Sequence, residues 1–445
     1  MKKYFITLLF AAAIGTAASA QTHDMKPYEM MVDGVKVIVQ PSGNQIVEIQ
    51  TIIRGGVQNY PADKIGIESM AMQALTECGT VKHDKNSFKD ALDKVSAAVY
   101  GNAGKDYSVV TMNCIKLDFE TVWPLYVEAI TQPKFDTTEF SRIKQDAITN
   151  LRSRESQPGI AIDKLADKVA FAGRDYAKEP EGTPETISKL TAADTKAYYN
   201  SILTRSRMLI VVVADLDKTD IENKVTAMLA PVKKGQPFEL KKSFFRVYNN
   251  TFQSESKELA TNYIEGITSG PQLDAPDFDA FSIAFRIFYD RHFLDVRTNH
   301  GLSYAPQVRF SAGATTVAKF MVSTTQPDKY IAVFNNLVDS TKQHGFTKAE
   351  LEDMKVTYLT GFYYKNETNS AQASSIASNE VLHGDWKRSM DLIHAVKKLT
   401  TDDINNAFRK YVGNIVWVYQ GDTKKVTPTL YTNGTSNKGD NPVSQ

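Results

Sequence analysis

Residues 66–80 read GIESMAMQALTECGT, and the meaning of the chain turns on this stretch. Ile67, Met70, Ala71 and Ala74 recur at three- and four-residue spacing, the pattern of a short helix with one face packed inward. Met70, Gln73 and Ala74 stand at i, i+3 and i+4 and so share a face. Strand-like TIIRGGVQNY precedes the helix, and Gly79-Thr80 closes it.

Around this helix the 445-residue chain is ordinary for a globular protein of two or more domains, with 42% hydrophobic and 23% charged residues. Its 52 basic and 51 acidic side chains leave a net charge of +1, so no global field favours nucleic acid or an anionic membrane. Residues 1–20 read as a signal peptide. Lys2 and Lys3 precede the apolar run YFITLLFAAAIG, and Ala18-Ser19-Ala20 has the small-x-small form of a cleavage site. The expected destination is the periplasm of a two-membrane bacterium, with no membrane span elsewhere. Export permits a disulfide between Cys78 and Cys114, and two buried thiols fit equally well.

In chain order, MMVDGVKVIVQ alternates like a hairpin turning at Asp33-Gly34, and QIVEIQTIIRGG is a second strand. KNSFKDALDKVSAAVYG reads as an amphipathic helix stopped at Gly101. YSVVTMNCIKLD alternates as a strand, and FETVWPLYVEAIT is a helix broken by Pro124 or beginning near it. A long-period repeat follows. Asp136 with Glu139, and Thr347 with Glu350, each form a candidate capping box opening a long helix, with Asp136 and Thr347 standing 211 residues apart. KLTAADTKAYYN matches KLTTDDINNAFRKY, with Thr191 and Thr400 as N-caps 209 residues apart. Both copies run into an apolar strand. The pattern predicts an α+β chain of two homologous halves: residues 21–235, a linker at 236–255, residues 256–422, and a disordered tail at 423–445.

With the helix and the doubling in hand, GGVQNYPADKIGIESMA…GT, GRDYAKEPEGTPETISKLTAADTKAYY and FRKYVGNIVWVYQGD together resemble the M16 zinc metallopeptidases (insulinase, pitrilysin, mitochondrial processing peptidase) over roughly residues 27–422. The resemblance implies two similar halves, each an antiparallel-rich sheet with packed helices, facing each other as a clamshell. In that family the opening helix carries His-x-x-Glu-His, two zinc ligands and a general base. Counted back from Gly79-Thr80, those positions fall on Met70, Gln73 and Ala74; counted forward from Gly66 they fall on Ser69, Met72 and Gln73. Neither register holds a histidine or the base, and a thioether, an amide and an alanine make no zinc site. The family's third ligand, a glutamate on the long helix, aligns with Asn150, or with Glu155 after a one-turn shift. The seven histidines offer no pair at ligand spacing on one helix. No metal or other cofactor is expected in this chain.

The second half keeps something different. In RHFLDVRTNHGLSYAPQVRF, Arg297 and Tyr304 match the family's distal-domain pair, which reaches substrate and a developing oxyanion across the chamber. No GxSxG, GxxxxGK[ST] or catalytic-cysteine context competes. The resemblance thus implies a non-catalytic, exported subunit of a heterodimer, with zinc in its partner, a peptide as substrate, and Arg297 and Tyr304 offered to the partner's active site. Two other readings are a standalone peptide-binding module, and a peptidase using Glu68, Glu77 and Glu155 around a hard metal.

Overall fold

The computed structural model describes residues 26–433, so the signal peptide expected at residues 1–20 lies outside the described residues. The first half begins with the hairpin β1 (Tyr28–Val32) and β2 (Val35–Pro41), turned at Asp33 (φ 48°) and Gly34 (φ 84°). β3 (Ile46–Arg54), α1 (Ile67–Glu77) and α2 (Lys85–Asp93) follow. Next come β4 (Ala98–Ala103), β5 (Tyr107–Ile115), α3 (Phe119–Thr131) and α4 (Thr137–Glu155). α5 (Pro158–Ala170), α6 (Pro184–Lys189), α7 (Ala192–Ile202), β6 (Met208–Ala214) and α8 (Lys218–Leu229) complete it.

The second half repeats the scheme. β7 (Thr251–Ser256) and β8 (Asn262–Thr268) lead to α9 (Phe278–Phe293), then β9 (Gln307–Ser311) and β10 (Val317–Thr324). α10 (Pro327–His344), α11 (Lys348–Lys365), α12 (Asn369–His383) and α13 (Arg388–Lys398) precede α14 (Thr401–Tyr411), β11 (Ile415–Gly421) and α15 (Pro428–Thr432). The two sheets run β1-β2-β6-β3-β5-β4 and β7-β11-β8-β10-β9. Read across, β2-β6-β3-β5-β4 corresponds strand for strand to β7-β11-β8-β10-β9. Each sheet has one parallel pair, β2 with β6 and β7 with β11, among antiparallel neighbours.

The repeated caps are real local signals. Thr347 and Thr400 form reciprocal boxes with Glu350 and Asp403, and Thr191 accepts from Asp194 N. Asp136 caps α4 alone, because the Glu139 carboxylate is taken by Arg142 Nε at 2.8 Å.

The halves exchange helices. α5 of the first half lies on β8 and β11, and α12 of the second lies on β3 and β6. Asn369, at the start of α12, donates from Nδ2 to the carbonyls of Ile46 (2.7 Å) and Val213 (3.2 Å), which fixes α12 against the edges of the first sheet's strands. Lys36 of β2 reaches Glu380 at 2.6 Å. Ile267, Ala373, Ile376, Ala377 and Val418 of the second half belong to the same buried cluster as the first half's core.

Four expectations need correction. The helix expected through Gly101 ends at Asp93; Ser96 turns the chain (φ 50°), and β-prone AVY pairs with β5 instead. α3 runs unbroken through Pro124, because seven apolar side chains buried along it outweigh one missing hydrogen bond. The linker is shorter than expected, since TFQSES forms β7, a mostly exposed edge strand whose polarity hides it in sequence. Residues 423–433 are ordered: Tyr431 is fully buried on α15 and its hydroxyl donates to the Pro327 carbonyl at 3.0 Å. Residues 434–445 lie outside the described residues.

Candidate functional site

α1 is held on the sheet by close backbone approach. It lies on β4, where Gly101 comes so near that a Cβ there would sit 2.6 Å from the Met72 carbonyl oxygen. Met70 and Ala74 point into the core, with Met70 2% exposed, and Gln73 is half-buried. Met72 is fully buried and Ser69 half-buried, so the other register offers nothing better. Asn150 and Glu155 stand on the solvent-exposed part of α4. Through Met70 and Ala74 this helix contributes packing.

The three carboxylates of the hard-metal alternative are not brought together. Glu77 pairs with Arg142 at 2.8 Å, exposed Glu155 has Lys164 at 3.8 Å, and Glu68 is fully buried elsewhere. Among the described residues no cluster of three or more His, Cys, Asp or Glu side chains could hold a metal. Both cysteines are free, buried thiols, and burial pushes Cys78 up to about 12 and Cys114 to about 11.

Glu68 is the unexpected feature of this helix. Its carboxyl accepts from Ser108 Oγ, Tyr198 OH and Asn59 Nδ2, the last at 3.1 Å. Arg207 reaches the Asn59 side chain at 2.6 Å and lends positive charge nearby. Burial raises the Glu68 pKa despite these donors. The network ties α1, β5 and α7 together. In sequence only the odd placement of a glutamate on the inward side of an amphipathic helix marks it.

Arg297 and Tyr304 lie at the far end of α9, the counterpart of α1 in the second half. There the helix widens into a π-turn over Leu294–Asn299, with His300 N bonded to Asp295 O at 3.1 Å. Gly301 (φ 60°) then turns the chain, and Leu302 N returns to Val296 O at 2.8 Å. Tyr304 sits in the loop ahead of β9 rather than on a strand, and is 79% exposed. The Arg297 guanidinium carbon lies 4.2 Å from the Tyr304 ring centre and 5.0 Å from that of Phe293. The pair is therefore in contact, half-buried arginine against exposed tyrosine. Beside it is an open cavity of about 310 Å³, lined by Tyr289, Phe293, Arg297 and Tyr304 with residues 305–309. His292, near in sequence, is fully buried among rings, where desolvation depresses its pKa to about 3.

Comparison with known proteins places these features in context. Residues 189–358 match the family model described as the Peptidase M16 inactive domain. A non-peptidase homolog, YmxG of Helicobacter pylori, is 22% identical over 443 residues, covering 96% of this chain and all of the relative. The crystal structure of a peptidase M16 inactive domain from Pseudomonas fluorescens superposes with a TM-score of 0.82 at 18% identity, over 91% of this chain and 99% of that one. The periplasmic protease PqqL of Escherichia coli gives 0.77 at 15% identity; it covers 95% of this chain, which spans 49% of PqqL.

Proposed function

We propose that this chain, similar to M16 peptidase homologues of the inactive type, serves as the non-catalytic subunit of an exported two-chain zinc peptidase. In this reading the partner carries the zinc and its ligands. The present chain closes the peptide chamber and offers Arg297 and Tyr304 to a peptide carbonyl or its developing oxyanion, the role such donors suit. The observation that carries the reading is an asymmetry between the halves. Met70 and Ala74, the positions that the resemblance gives to metal ligands, are buried in the core, while the Arg297–Tyr304 pair stays open to solvent beside a cavity. The interlocked seam supports it too: with α5 and α12 filling the space between the halves, enclosure of a peptide calls for a second chain. Export rests on the amino-terminal sequence and accords with the periplasmic location named for PqqL.

The test is co-expression with a homologue that retains His-x-x-Glu-His, followed by peptide turnover of the purified complex. Arg297→Ala should lower kcat at least about tenfold, as the loss of one charged donor to a transition-state oxygen does. A stable complex whose turnover ignores Arg297→Ala would defeat the shared-site role.

A further inference from the structure

We propose that the Arg297 cavity is a carboxylate-binding pocket, which anchors an extended peptide along the free edge of β9 by a carboxylate of that peptide. The inference rests on the preceding reading in taking a peptide as ligand; it adds the chemical class of peptide and the element that holds it.

Three observations converge. First, Arg297 touches the faces of Tyr304 and Phe293 but makes no ion pair or hydrogen bond among the described residues. Arg291, on the preceding turn of α9, is by contrast bidentate to Glu350 at 2.6 and 2.8 Å. Contact through ring faces leaves guanidinium N–H donors available in their own plane, the geometry that pairs with a carboxylate. Second, the walls are aromatic. Tyr289, Phe293 and Tyr304 surround the charge, and the exposed Tyr304 phenol supplies a further donor. Third, residues 305–309 run from this cavity into β9, the terminal strand of its sheet. Its inner edge pairs with β10 from Gln307 to Ser311; among the described residues nothing pairs with the outer one. Five residues of free edge accept a peptide segment of about five residues, main chain to main chain. Arg309 of β9, in register with Lys319 of β10, lines the same cavity and adds to its positive charge.

The carboxylate can be a peptide's C-terminus or an acidic side chain, and labelled peptides distinguish the two. Fluorescence anisotropy on the purified chain would use one extended nonapeptide sequence in three forms: free C-terminus, C-terminal amide, and amide with one internal glutamate. The expected result is measurable binding of the free-acid or the glutamate form, weakened at least about tenfold in the plain amide. Arg297→Ala should reduce the carboxylate forms to the level of the amide, while Arg297→Lys retains an intermediate affinity. Equal affinity for all three forms, insensitive to Arg297→Ala, overturns the carboxylate pocket and leaves the subunit reading to its own complex-based assay. Absence of binding by every form also overturns it.

Discussion

Glu68 anchors the opening helix. Its carboxyl accepts from three side chains and so pins α1 to β5 and α7. Glu68→Ala leaves the Tyr198 and Ser108 hydroxyls and the Asn59 amide facing a cavity, each at a cost of about 1–3 kcal/mol when no partner replaces the acid. The variant should lose about 3 kcal/mol of unfolding free energy. Glu77→Ala, which removes only an exposed pair with Arg142, should cost about 1 kcal/mol or less. Urea titration of both variants checks this, and equal losses would mean that Glu68 is not the pin. Sequence marked Met70, Gln73, Ala74 and Asn150 only through the resemblance, by residue identity. It could not reveal the Glu68 network, whose partners lie 9, 40 and 130 residues away.

At the scale of elements, the exchanged helix α5 carries a charge cluster into the seam. Lys319 of β10 contacts Asp163 Oδ1 (2.8 Å) and Asp167 Oδ1 (2.6 Å) on α5, and Glu265 Oε1 (3.1 Å) on β8. Lys105 holds the other Asp167 oxygen at 2.6 Å, and Arg309 acts on Asp163. Glu265 is completely buried, with Lys319 Nζ 3.1 Å from its Oε1. Burial, with the negative charge of Asp163 adding to it, raises Glu265 to about 8 from 4.5, against the pull of Lys319. The native state therefore keeps a proton that the unfolded chain releases near pH 4.5, and Glu265 costs progressively more stability as pH rises from there through about 8. Denaturant midpoints between pH 5 and 9 should fall with pH for the native chain and fall less steeply for Glu265→Gln. Identical slopes would mean that Glu265 does not hold the proton. The long helices were legible in sequence because Thr347, Thr191 and Thr400 are local caps. β4, β7 and α15 were not, since SAAVYG, TFQSES and PTLYT acquire their structure from β5, β11 and Pro327, which are remote in sequence.

For the whole molecule, the doubled sequence becomes two sheets with the same strand order, locked by reciprocal helices into one body with a shared core. The 211-residue spacing made the doubling readable. The helix exchange was not, because α5 and α12 look like any amphipathic helix until a sheet is set beneath them. This architecture packs Met70 and Ala74 of one half into the core and leaves an arginine–tyrosine pair open on the other, and the proposed role is work on peptides together with another chain. The decisive measurement is a pull-down of the chain from its native envelope fraction, with zinc content and peptide hydrolysis determined for the eluate and for the isolated chain. The account predicts an M16-type partner bearing His-x-x-Glu-His, about one zinc per complex, hydrolysis by the complex, and neither zinc nor hydrolysis in the chain alone. Stoichiometric zinc and hydrolysis in the isolated chain, or a chain that recovers no such partner, would contradict it.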